Sequence, residues 1–183
     1  MQRKRIIIVL CAIAAVAGGL LGLVWNITKP EIEKRLIEAS DMAIYAVLPE
    51  AEKYQEMESG AVKYYQAYDA EGQPAGIAVQ AEGQGFQDKI VIIIGMVQDL
   101  SKVKGIRVLE SAETPGLGGE ITSEWFRKQF ENLETGPEII YVKDSKPGKP
   151  NEIRAITGAT ISTKSIVKIV NEAVKGLRDS SLR

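Results

Sequence analysis

The sequence predicts an α+β domain, an antiparallel sheet with packed helices, preceded by one N-terminal transmembrane helix. Three observations carry this. An uncharged apolar stretch, Ile6 to Thr28, lies between Arg5 and Lys29. Segments of strand character come first and helical segments are inserted late, the order of α+β chains rather than of alternating βαβ units. The first two body strands are joined by turn residues, as in a hairpin.

The 183 residues permit one ordinary domain plus an accessory segment. With 45% apolar and 26% charged residues the chain can build a core. It has no His and one Cys, Cys11. This excludes His/Cys zinc sites, Ser-His-Asp and Cys-His catalytic pairs, intrachain disulfides and Cys-ligated clusters. Any redox chemistry must rest on carboxylates, hydroxyls, backbone groups or an organic cofactor. The net charge of −1 hides an asymmetry. Residues 1–30 hold four bases and no acid, leaving 19 bases against 24 acids in the rest. Such a body is a poor nucleic-acid binder.

Taken in order, residues 1–5 form a cytoplasmic stub, because Arg3-Lys4-Arg5 stays inside by the positive-inside rule. Residues 6–28 form the transmembrane anchor, about long enough to cross a hydrocarbon core of ~30 Å, with Trp25 as interfacial residue. Ala15-Val16-Ala17 offers the rival reading of a cleaved leader, but the apolar run continues through Leu20, Leu21, Leu23 and Val24. Both readings export the body. A juxtamembrane helix then restarts at Thr28 with Pro30 in its first turn and acids Glu31 and Glu33. Its apolar stripe is Ile32, Leu36, Ala39, Ala43 and Val47, and it closes at Pro49.

Residues 50–183 form the extracytoplasmic domain. Val62–Tyr68 alternates as a strand with aromatic residues on one face, and Gly76–Ala81 follows after the turn at Asp69. Ile90–Ile94 is a run of branched residues, a central strand buried on both faces. Val103–Leu109 is another strand. Ser123–Asn132 is a short helix capped by Ser123, with Trp125, Phe126 and Phe130 inward. Ile139–Val142 is a strand and Lys146–Pro150 a loop. Ser162–Leu177 is the last helix, with Ile166, Ile169, Val170, Ala173 and Leu177 on one face.

Two segments exceed ordinary packing needs. In Glu113-Thr114-Pro115-Gly116-Leu117-Gly118-Gly119, three glycines in four positions permit positive φ and close ligand approach, though an ordinary Gly-rich connection reads the same. Its spacing fits neither the dinucleotide fingerprint nor the P-loop. The second, Ile156-Thr157-Gly158-Ala159-Thr160-Ile161-Ser162-Thr163, opens the last helix. Free backbone N–H groups and the helix dipole make such a terminus a place for an anion, most simply a phosphate, with Lys164 as possible added charge. A plain N-cap needs one hydroxyl; this segment offers four.

Thr157-Gly158-Ala159-Thr160 resembles the Ser/Thr-Gly-Ala-Thr/Ser flavinylation motif of the FMN-binding domain family, and Glu113-Thr-Pro-Gly-Leu-Gly118 resembles its companion element. The order of anchor, Gly-rich segment before a buried strand, and the two motifs is also similar, over essentially the whole chain. The G component of Rnf complexes is the member most similar in pattern; the C component of Na⁺-translocating NADH:quinone reductases is related but usually longer.

The resemblance implies FMN held covalently by a phosphoester to Thr160, installed from FAD by a separate flavin transferase. It implies a cofactor site of Thr157, Gly158, Ala159, Thr160, Glu113, Thr114, Gly116, Leu117 and Gly118, with Glu113 to Gly118 lining the ring or ribityl chain. Thr163 is the second choice for attachment. Arg154 stands where members often carry an acid, and is a candidate phosphate contact. No catalytic side chain and no metal are implied; the flavin carries the redox chemistry. The implied role is a redox-carrier subunit of a ferredoxin:NAD⁺ oxidoreductase coupled to Na⁺ or H⁺ translocation, partnered by other membrane and peripheral subunits. The alternatives are a stand-alone anchored flavoprotein serving an extracellular acceptor, the C component of a Na⁺-translocating NADH:quinone reductase, and a non-catalytic assembly or sensory domain.

Overall fold

A computed structural model describes residues 2–59, 62–143 and 145–181. The first element, helix α1, runs without interruption over Gln2–Val47 with Pro30 inside it. The restart expected at Thr28 is therefore absent. Pro30 removes one backbone donor, but the helix continues on both sides of it. The first unit of the chain, Met1–Ala39, is this helix alone. Its apolar side chains are exposed along the whole stretch from Ile6 to Ile27. It is the one helix among the described residues long and apolar enough to cross a membrane. The side chains of Glu33 and Leu36 lie outside the described residues.

The second unit begins at Ser40, inside the helix, rather than at the residue 50 boundary expected from sequence. The reason is burial. Ala43, Ile44, Val47 and Leu48 are 6, 1, 2 and 0% exposed and cluster with Ala67, Ala78 and Ile93. The end of α1 is thus part of the domain core.

Six strands form an antiparallel meander in chain order: β1 Lys53–Ser59, β2 Val62–Tyr68, β3 Pro74–Gln84, β4 Lys89–Met96, β5 Lys102–Ser111 and the two-residue β6 Leu133–Glu134. The turn before β3 uses Asp69: its carboxylate accepts from Gln73 N (2.7 Å), its carbonyl from Gly72 N (3.1 Å), and Gly72 sits at φ +78°. The central position of β4 explains its Ile run. Ile90, Ile92 and Ile94 point into the main core, while Ile93 points to the end of α1. Glycine lets that helix end approach closely: a Cβ at Gly95 would meet Val47 O at 2.7 Å.

The opposite face is covered by α3, Thr160–Ser181, two residues longer at its start than expected. Ile166, Ile169, Val170 and Leu177 are buried as predicted, with Val167 and Val174 beside them; Ala173 is only partly buried. β7, Ile140–Val142, pairs in parallel with β8, Glu152–Arg154, as a separate two-stranded sheet.

Four local expectations are corrected. The helix of Ser123–Asn132 shrinks to α2, Glu124–Lys128, after a 3₁₀ turn over Gly118–Thr122. Past Lys128 the chain tightens through i→i−3 bonds such as Phe130 N–H to Arg127 O (3.0 Å) and leaves the helix at Asn132, φ +60°. Ser123 does not cap; its hydroxyl donates to Glu120 O at 2.6 Å. Phe126 and Phe130 are fully buried, but Trp125 faces outward, 46% exposed. The aromatic residues of β2 divide between faces, with Tyr64 against the main core and Tyr65 against the α1 end. Val62 lies outside the described side chains.

Candidate functional site

Each of the two glycine-bearing motifs folds as a tight turn, for the same backbone reason. In the first, Leu117 N donates to Thr114 O at 3.1 Å, with Pro115 and Gly116 between and Gly116 at φ +75°. Proline at the second position and a positive-φ glycine at the third are the demands of a type II turn. Gly119 N adds a bond to Thr114 O at 2.8 Å. In the second, Ala159 N donates to Ile156 O at 3.0 Å across Thr157 and Gly158, and Gly158 sits at φ +79°. The two turns meet: a Cβ at Gly158 would lie 3.3 Å from Leu117 Cδ2.

A cavity of about 290 Å³ opens where they meet. Glu113, Thr114, Leu117 and Gly118 line one side; Gly158, Ala159, Thr160, Ile161 and Ser162 line the other. Phe86, from the β3–β4 loop, completes the wall. Phe86, Leu117 and Ile161 are 60, 48 and 54% exposed, so the mouth carries apolar side chains turned to solvent. The floor is polar. The first intrahelical bond of α3 is Thr163 N–H to Ala159 O (3.1 Å). The N–H groups of Thr160, Ile161 and Ser162 precede it and have no acceptor within the helix.

The hydroxyls of the second motif divide by role. Thr160, half-buried, is the first residue of α3 and borders the cavity. Thr163 is fully buried; its Oγ1 accepts from Ile156 N (3.1 Å) and donates to Ala159 O (3.2 Å). It fastens the turn to the helix and does not border the cavity. Ser162 is 2% exposed and donates to Glu113 Oε2 at 2.6 Å. Thr157 is exposed and, like Gly116, shapes its turn without lining the cavity.

Glu113 lies buried at the centre. Its Oε1 accepts from Phe86 N at 2.6 Å and Gln87 N at 3.1 Å. Its neighbours leave no space: a Cβ at Gly118 would fall on Glu113 Oε2 and within 2.6 Å of Ser162 Oγ, and a Cβ at Gly85 would fall on Glu113 Oε1. Thr114 Oγ1 accepts from Gln87 Nε2 at 3.3 Å. Sequence reasoning missed Phe86 and Ile161 as wall residues. The available signal was a lone aromatic in the polar Gly83–Asp88 stretch, and a large apolar residue inside a run of hydroxyls.

Arg154 does not border the cavity. It ends β8, whose backbone is bridged there by Gln129: Arg154 N donates to Oε1 at 2.7 Å and Nε2 donates to Arg154 O at 3.3 Å. Lys164 lines a larger groove of about 600 Å³ between α3 and residues 135–141. That groove contains none of the motif residues, and two of its polar side chains, Asn171 and Arg178, already serve the fold. Asn171 exchanges two bonds with the Ile139 backbone (2.9 and 2.8 Å), and Arg178 donates to Leu100 O (3.1 Å) and Thr135 Oγ1 (2.8 Å). The smaller cavity is the candidate site because both motifs border it and neither borders the groove.

Residues 85–175, from the β3–β4 loop into α3, match the FMN-binding domain family. The G component of the ion-translocating oxidoreductase complex of Methanosarcina acetivorans is 30% identical over 93% of this chain and 92% of its own length. The chain belongs to the FMN-binding domain family. Among its relatives, the G component of the Na⁺-translocating ferredoxin:NAD⁺ oxidoreductase complex of Acetobacterium woodii is 28% identical over 92% of this chain and 88% of its own. The fold is shared with NqrC of Shewanella oneidensis, with a TM-score of 0.57 at 18% identity over 72% of this chain and 73% of that one.

The residues fit the cofactor that the family name implies. The helix-start N–H groups without an intrahelical acceptor and the bordering Thr160 suit a phosphate, and Phe86, Leu117 and Ile161 suit the apolar part of a flat ring system.

Proposed function

We propose that this chain is an electron-relay subunit of an Rnf-type ferredoxin:NAD⁺ oxidoreductase complex, holding FMN by a phosphoester to Thr160. The observation that carries the reading is the convergence of the two motifs, 40 residues apart in sequence, on one cavity whose bordering threonine begins α3.

The chain's own residues supply position and electrostatics. Thr160 would provide the hydroxyl oxygen that bonds to the FMN phosphorus of FAD as a flavin transferase breaks the pyrophosphate, with AMP leaving and the hydroxyl proton passing to solvent. The first-turn N–H groups of α3 would hold the phosphate and favour its charge. The glycine turns would let backbone approach the cofactor, and Phe86, Leu117 and Ile161 would hold its ring. FMN, when bound, supplies the electron chemistry.

Residues 6–28 anchor the chain, and Arg3-Lys4-Arg5 retains its start in the cytoplasm, which puts the domain on the extracytoplasmic side. From there it reaches neither ferredoxin nor NAD⁺ directly. Electrons pass to and from other membrane subunits, and ion movement belongs to those partners because one span forms no ion pathway.

The test is co-expression of the full chain with an exported flavin transferase and with the other subunits of the complex. The expected result is flavin fluorescence that survives a denaturing gel, an intact-mass gain of one FMN less water, loss of both in Thr160→Ala, and co-purification with multispanning subunits. Labelled protein that purifies alone would make it a stand-alone carrier. A dark band at unmodified mass beside a labelled control domain would refute the covalent relay.

A further inference from the structure

Glu113 borders the candidate flavin cavity, yet its carboxylate is taken up by bonds within the protein. Oε1 takes the backbone N–H groups of Phe86 (2.6 Å) and Gln87 (3.1 Å), and Oε2 takes the Ser162 hydroxyl (2.6 Å). These donors belong to segments that share no secondary structure: the β3–β4 loop and the first turn of α3. Glu113 itself opens the first glycine motif. One side chain, 7% exposed, therefore ties together all three walls of the cavity. Charge-assisted bonds to a buried carboxylate are among the stronger ones, and losing the acceptor strands two N–H groups.

We propose that Glu113 is a positioning residue, which holds Phe86 against the cavity and orients the Thr160 turn of α3, and not a group that acts on the flavin by contact or charge. The proposal rests on the reading of this cavity as the flavin site. Both glycines beside the carboxylate support it, since a Cβ at Gly85 or Gly118 would displace the carboxylate oxygens from these donors.

Position and charge are separable by substitution. Gln at 113 keeps an oxygen for the two backbone donors and puts an NH₂ group before Ser162 Oγ, which can accept. Ala keeps nothing. Positioning thus requires Gln to rescue what Ala loses, whereas an effect of charge on the flavin requires Gln and Ala to behave alike.

The experiment compares full-length wild type, Glu113→Gln, Glu113→Ala and Ser162→Ala. Amide exchange at Phe86 and Gln87 is read in unmodified protein, the labelling rate of Thr160 with the transferase, and the flavin midpoint potential in labelled protein. In Glu113→Ala, exchange at Phe86 and Gln87 should rise by about tenfold or more, with slower labelling. Glu113→Gln should stay near wild type in exchange, labelling and potential. Ser162→Ala should slow labelling while Phe86 and Gln87 stay protected. Equal losses in the Gln and Ala variants, a shifted potential in Glu113→Gln, or unchanged exchange in Glu113→Ala would overturn the proposal. Failure of wild type to be labelled would refute the flavin reading, and the exchange measurements would still decide whether Glu113 holds the loop.

Discussion

Leu117 lies against the backbone of Gly158, so closely that a Cβ on Gly158 would sit 3.3 Å from Leu117 Cδ2. This contact is where the two motif turns touch. Gly158 meets two constraints at once, φ +79° and a neighbour that must give way.

Gly158→Ala should therefore cost more than Gly116→Ala. Both place a side chain at positive φ, about 1–2 kcal/mol each, but Gly116 has open space around it. Thermal unfolding of the pair should differ, at roughly 2–4 °C per kcal/mol for a domain of this size. Labelling of Thr160 should fall further in Gly158→Ala.

The threonines of α3 should separate stability from attachment. Thr163→Ala removes the acceptor of the buried Ile156 N–H and should destabilise by about 1–3 kcal/mol. Thr160→Ala should change stability by less than about 0.5 kcal/mol and abolish the covalent flavin. Denaturant unfolding and in-gel fluorescence report the two effects independently.

Removal of the end of α1 should unfold the domain. Ile44, Val47 and Leu48 are buried, each worth about 1.5–3 kcal/mol. A chain beginning at residue 50 should lose cooperative unfolding, and one beginning at residue 40 should retain it. Gly95→Ala, which drives a methyl into the Val47 backbone, should cost about 1–3 kcal/mol in the intact chain. Circular dichroism melts distinguish these cases.

Tyr54 should make the domain sensitive to alkali. Its hydroxyl donates to Asp41, and this bond, with burial and the nearby negative charge, pushes its pKa well above the ordinary tyrosine value. A group raised in the folded state contributes stability that is complete below its unfolded pKa of about 10 and is lost as pH climbs above it. Stability should fall from about pH 10 upward, and Tyr54→Phe should flatten that part of the profile. The phenolate absorbance of the native protein should show Tyr54 titrating last, with Tyr65, raised by burial, also above the ordinary range.

The strongly patterned elements were readable in the residues. Ile90–Ile94 could only be a strand covered on both sides, and it is the centre of the sheet. The stripe of α3 and the turn at Asp69 also follow from local rules. β1 was not readable because its burial pattern is weak: Lys53–Ser59 contains little apolar character and is supported across the strand by Lys63 with Glu56 (3.4 Å) and Glu58 (3.1 Å). β6 and β8, of two and three residues, have no periodicity to read.

The candidate site divides in the same way. Local sequence placed a helix start inside the second motif, at Ser162 where the structure has Thr160, and allowed positive φ in the first, because turn geometry and open N–H groups are properties of a few consecutive residues. Tertiary structure decided that these turns share a cavity, that Phe86 and Ile161 join it, and that Lys164 faces a different groove. It also decided which hydroxyl remains at the mouth. Thr163 and Ser162 are chemically similar to Thr160, but packing commits one to the Ile156 turn and the other to Glu113, 49 residues away. Spacing along a chain reports which groups are present; only the fold determines which of them are already bonded.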